Sequence, residues 1–109
     1  MHFEMKITFD KEYLKNLYVT GSSADKKHRF QPDVVRRYIK TVDLMIESEN
    51  VNMLSLWKGL HYEHLHGDKE GFSSVRVTQK YRIEFTEHIE GNEQVATICN
   101  ITELSNHYK

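Results

Sequence analysis

Arg76 and Arg82 are the side chains here whose type and spacing suit work on an anion. Each sits in an alternation of apolar and polar residues, Ser74-Val75-Arg76-Val77-Thr78 and then Tyr81-Arg82-Ile83-Glu84-Phe85, the period of half-buried strands. If Val77 and Tyr81 close a hairpin over Thr78-Gln79-Lys80, Val75 faces Ile83 and Arg76 faces Arg82. A two-residue loop would set Val75 against Glu84 and turn an apolar face to water, so the odd loop is expected. Like charges directly opposed on a sheet repel. Two guanidinium groups side by side make sense with an anion between them, and their planar forks match phosphate. The plainer alternative is a solvated face that Glu84 and other acids neutralise.

The histidines are the second group that could do chemistry. His61, His64 and His66 form an H-x2-H-x-H cluster. A zinc site needs three or four converging ligands, and no nearby cysteine or further histidine pair completes a set, so no metal or other cofactor is expected. Surface or acid-base roles near neutral pH suit them better. Cys99 lies in an apolar strand pattern with no base beside it in sequence and reads as core filler. His107 and Tyr108 close the chain as either a site or a frayed end.

These groups need elements to hold them. Phe3, Met5, Ile7 and Phe9 alternate with polar residues as an edge-type strand. Asp10 stands where a helix N-cap belongs, ahead of Tyr13, Leu14, Leu17 and Tyr18, and Gly21 is a natural stop. Ser22 to Gln31 is polar and basic and reads as a loop. Pro32 fits the first position of a second helix, with Val35, Tyr38, Ile39, Val42, Met45 and Ile46 at helical spacing, running to about Glu49. The two helices should pack as an antiparallel pair on a sheet. Val51 to His66 resists classification, with Trp57 expected to close one end of the core. After the hairpin, Val95 to Leu104 is β-branched and apolar on both faces, the mark of a strand inside a sheet.

At 109 residues, the chain suits one α+β domain with a single core. A charged fraction of 28% and mean hydropathy of -0.65 suit a soluble protein. No apolar run could span a bilayer, and the start MHFEMKITFD lacks the apolar core of a signal peptide. A cytoplasmic protein with no membrane partner is expected. The net charge of -1 is unusual for a nucleic-acid partner, whose affinity comes largely from Lys and Arg. The balance is uneven, however. Cations outnumber acids from Val51 to Arg82, while Ile83 to Glu103 has acids and neither Lys nor Arg.

The order strand, helix, helix, three strands, together with L-x-G-D-K-x-G at Leu65 to Gly71, S-V-R-V at Ser74 to Val77 and Y-R-I-E-F at Tyr81 to Phe85, resembles the RelE/ParE superfamily of bacterial type II toxins, most closely its HigB-like branch. The resemblance covers essentially the whole chain. It implies a RelE-like fold, with a mainly antiparallel sheet under two helices, and a ribosome-dependent mRNA endonuclease. It also implies a cognate antitoxin of helix-turn-helix type as partner beside the ribosome and mRNA.

Such enzymes need no metal, because the ribose 2′-hydroxyl attacks the adjacent phosphate. Arg82 matches the family's phosphate-contacting arginine, Arg76 is its cross-strand partner, and His107 is the candidate acid or base. His66, Lys58, Lys69 and Lys80 are candidates to bind RNA, and Tyr108 to stack on a base. Glu63 stands where the family commonly has a histidine, so Glu63 serves as base, the neighbouring His64 substitutes, or the role is lost. The family often ends in an acid-aromatic-His run; here Glu103 could supply the acid, and His107 needs a small shift. The near-neutral charge also departs from the family's basic habit. Two other readings stay open: a ParE-like gyrase inhibitor, and an inactive relative that only binds antitoxin.

Overall fold

The computed structural model describes residues 4–106. In order come β1 (Lys6–Phe9), α1 (Glu12–Thr20), α2 (Pro32–Glu47), β2 (Glu63–His64), β3 (Ser73–Arg76), β4 (Tyr81–His88) and β5 (Ile98–Asn106). Short 3₁₀ turns at Lys26–His28, Val51–Leu56, Lys58–Leu60 and Gly67–Lys69 fill the connections. The sheet order is β1-β5-β4-β3-β2, with β1 parallel to β5 and every other pair antiparallel. The expected α+β architecture is therefore present, and Glu63–His64 adds one very short strand from the stretch that sequence left unclassified.

The hairpin takes the odd-loop register. Val75 pairs with Ile83 and Arg76 with Arg82, while Val77 and Thr78 N–H both donate to Tyr81 O, at 2.9 and 3.1 Å. That register puts Val75, Ile83 and Phe85 on one wholly buried face. Continuing it across β4 to β5 buries Leu104, Ile101 and Cys99 beside them, although a bulge between Glu84 and Phe85 shifts the pairing by one residue. Burial pushes the Cys99 thiol up to about 12, with the Glu87 carboxylate adding to the shift. Cys99 is thus an inert core residue, as its surroundings in sequence suggested.

Helix α2 covers this face with Val34, Val35, Tyr38, Val42 and Met45. Tyr38 is fully buried and donates its hydroxyl to Leu14 O at 2.8 Å, tying α2 to α1. Pro32 opens α2 as expected, and Gly21 closes α1 at φ 77°, a left-handed angle that costs glycine little. Three local expectations fail. Strand β5 runs Ile98–Asn106 rather than Val95 to Leu104 and carries Glu103 and Ser105 on one face, so it is not apolar on both. Lys11, not Asp10, is the N-cap of α1, and it makes no side-chain cap bond. Trp57 is 43% exposed and does not close the core; its indole N–H donates to Ser48 Oγ at 3.3 Å, which fixes the ring at the surface. Among the described residues, no helix is long and apolar enough to cross a membrane.

Candidate functional site

The sheet face away from the buried one carries two transverse rows of polar side chains. Pairing aligns Glu63 with Ser74, Ser74 with Glu84 and Glu84 with Glu103, across four strands. The adjacent row is Arg76, Arg82 and Ser105. Period-2 alternation puts both rows on one face, since Ser74 and Arg76 share β3 and Arg82 and Glu84 share β4.

Each carboxylate in the first row has a cation or hydroxyl assigned to it. Arg82 Nη1 lies 3.0 Å from Glu63 Oε1 and donates to Ser74 Oγ at 3.1 Å. The Arg82 side chain is consequently only 13% exposed, against 51% for Glu63, and the wet face expected for this arginine is largely covered. Glu84 accepts from Ser105 Oγ at 2.9 Å, and Lys69 Nζ lies 3.1 Å from its other oxygen. Glu103 accepts from Tyr13 OH at 2.6 Å and from Lys11 Nζ at 3.1 Å. Arg76 differs: its Nη1 lies 3.2 Å from His61 Nε2, a neutral acceptor when the ring carries its proton on Nδ1. His61 holds a left-handed backbone at φ 46°, the single positive φ at a non-glycine among the described residues. Such a conformation is costly away from glycine and tends to mark functional positions.

A groove of about 530 Å³ beside Glu84 and Glu103 is closed by the basic loop after α1. That loop is more than a solvated connection. Asp25 Oδ1 accepts from Lys27 N–H, the His28 ring lies 2.8 Å from Asp25 Oδ2, and it stacks on Tyr13 at 3.7 Å between centroids. Phe30 meets Tyr81 edge-on at 5.5 Å.

The one-residue step from Glu63 to His64 separates their destinations. Glu63 joins the arginine face, whereas His64 Nδ1 lies 3.0 Å from Ser73 Oγ on the buried side, where Ser73 also donates to Glu87 at 2.7 Å. Tyr62 donates to the same Glu87 carboxylate, and burial followed by that bond raises its phenol well above the usual value. Of the remaining positions, Lys58 is exposed beside Arg76, Lys80 is exposed in the hairpin loop, and His66 is exposed with Nδ1 4.0 Å from Glu70. His107 and Tyr108 lie outside the described residues. The sequence pattern assigned Ser74 no site role and singled out His61 only as one of the clustered histidines, not as the partner of Arg76. Ser74 shares strand parity with Arg76, and His61 belongs to the histidine cluster; either signal could have marked them. Among the described residues, no three His, Cys, Asp or Glu side chains converge as metal ligands.

Glu103 offers a pH test of this face. Burial pushes its carboxyl up, but the bonds from Tyr13 and Lys11 outweigh it and leave the group below its ordinary value of 4.5. A depressed folded value means that the stabilisation is present above pH 4.5 and fades as pH falls through the folded value. Glu103→Gln should therefore flatten the acid limb of stability against pH, followed by urea midpoints. Superimposable wild-type and mutant limbs would show that the Tyr13–Glu103–Lys11 network adds no proton-linked stability.

Comparison with known proteins completes the assignment. A family model described as the RelE-like toxin of type II toxin-antitoxin system HigB matches residues 7–100. The chain is 27% identical over 82 residues to Toxin HigB-1 of Vibrio cholerae serotype O1, covering 74% of this chain and 82% of that one. It shares its fold with the YoeB/ParE toxin from Agrobacterium tumefaciens, at TM-score 0.54 and 19% identity over 95% of this chain and 100% of that one. It shares it equally with a YafQ mutant from E. coli, at TM-score 0.55 and 14% identity over 94% and 92%. The sheet topology and the family match across most of its length place this chain in the HigB-like branch of the RelE-like toxins of type II toxin-antitoxin systems.

Proposed function

We propose that this toxin is a ribosome-dependent mRNA endonuclease that cuts by using the substrate's own 2′-hydroxyl. The observation that carries the reading is Arg82, held largely buried opposite Arg76 with the Glu63 carboxylate 3.0 Å from its guanidinium. In the proposed step, Glu63 takes the proton from the 2′-hydroxyl as that oxygen bonds to phosphorus. The bond from phosphorus to the 5′-oxygen breaks, and His107 protonates the leaving oxygen. The products are a 2′,3′-cyclic phosphate and a 5′-hydroxyl. Arg82 and Arg76 stabilise the extra negative charge on the phosphorane, a task suited to cations held in place before the reaction. In the resting protein, Glu63 occupies Arg82 as an internal anion that substrate phosphate replaces.

A type II toxin has a cognate antitoxin, which in this reading restrains cleavage until it is removed. The nuclease is tested with purified protein, mRNA and programmed ribosomes, after EDTA treatment and return to a fixed Mg²⁺ level that the ribosomes need. Cleavage that leaves cyclic-phosphate and 5′-hydroxyl ends is the expected result. No cleavage under any condition would overturn the nuclease and favour gyrase inhibition or antitoxin binding alone.

A further inference from the structure

A second groove, of about 490 Å³, runs between α2 and the Leu56–Leu60 stretch and reaches Arg76. Its lining includes Arg37, Lys40, Lys58 and Arg76, and no acidic residue is among the described residues that line it. In a chain of net charge -1, four cations along one groove are a concentrated local field. Leu56, 72% exposed, and Trp57 add an apolar surface between the cations. The Trp57 indole does not hang loose. Its N–H is held by the fully buried Ser48 Oγ, itself anchored on Leu44 O at 2.9 Å.

A fixed, outward-facing indole flanked by cations is the arrangement that binds single-stranded nucleic acid, with bases stacking on the ring while Lys and Arg follow the phosphates. Because the ring is already held, little conformational freedom is lost on stacking. We propose that this groove binds the single-stranded RNA flanking the cut phosphate, with one base stacked on Trp57 and the backbone crossing Arg37 and Lys40 to reach Arg76. Arg76 belongs to both the groove and the arginine pair, so one strand can occupy both. This inference rests on the nuclease reading for its register but not for its test.

Trp57 is the single tryptophan of the chain, so intrinsic emission reports this groove directly. The probe is a 2′-O-methylated hexauridine strand, which cannot be cut through its own 2′-hydroxyl. Saturable quenching is expected, together with a salt dependence whose steepness falls by about 0.7 for each charge removed. With end-labelled probe and anisotropy as readout, Trp57→Ala should weaken binding about tenfold, while Trp57→Phe keeps most of the affinity. Arg37→Ala with Lys40→Ala should weaken it further. Absence of binding, binding that leaves tryptophan emission unchanged, or tighter quenching by an acidic peptide than by RNA would each overturn the proposal. The last result would assign the groove to a protein partner instead. Quenching needs no ribosome or cleavage, so failure here leaves the nuclease assay untouched, and quenching without ribosomal cleavage would sink the nuclease alone.

Discussion

Arg82→Ala is expected to lower single-turnover cleavage on programmed ribosomes by about 10²–10³-fold, the usual cost of removing one preorganised donor to a developing negative charge. Arg82→Lys should recover only part of it, because a lysine ammonium supplies the charge without the planar fork. The alanine variant also has a structural consequence. Ser74 is fully buried, and it would lose the Arg82 bond to its Oγ, costing about 1–3 kcal/mol if nothing replaces it. A melting curve must therefore accompany the kinetics, so that loss of folded protein is not mistaken for loss of catalysis.

Glu63→Gln supplies the contrast, since it keeps the shape and frees Arg82 from an ion pair. If Glu63 is both the resting counter-ion and the base, Gln should strengthen RNA binding while slowing the cut, so KM and kcat fall together. Cleavage that stays near wild type in Arg82→Ala would remove the arginine pair from the mechanism.

The register of the hairpin was open to sequence reading because two constraints agreed. Alternation demanded Val75 and Ile83 on one face, and the spacing of Val77 and Tyr81 allowed only an odd loop to supply it. That the last strand lies inside the sheet was open from its β-branched run, although the face carrying Glu103 and Ser105 is polar rather than apolar. The counter-ion of Arg82 was not open. Glu63 reaches it from a strand of two residues, too short to show any period, and the Gly67–Lys69 turn that returns the chain to β3 leaves no pattern linking them.

Trp57 shows the opposite failure. Size and apolarity argued for the core, but the surface position is set by one hydrogen bond to Ser48, nine residues earlier, that no periodicity announces. The local character of the 51–60 stretch, built from 3₁₀ turns, hid both the second groove and the strained His61. The candidate site was thus readable where it lies on long strands, and unreadable where short turns bring in its partners.

Phe85→Ala should be the most damaging single substitution for stability. The ring is wholly buried in β4, beside Ile83, with Tyr62 stacked at 6.3 Å and Ile101 paired across the bulge. Truncation removes its transfer energy and leaves a cavity that a sheet paired on both sides cannot close, a cost of about 3–5 kcal/mol. Against a total of about 5–15 kcal/mol for a domain of this kind, that is a large share. Tm should fall by at least about 10 °C, and the urea midpoint should drop with little change in slope. Val19→Ala, on a side chain 65% exposed, serves as the surface control and should stay within about 0.5 kcal/mol. Glu84 precedes Phe85 at the bulge and faces the site, so the core ring supports the floor on which Arg82 and Glu63 are aligned. If that support is only structural, cleavage at low temperature should track the folded fraction of Phe85→Ala. A shift in Tm of under about 3 °C would mean that the helices, rather than the sheet face, hold the stability of this toxin.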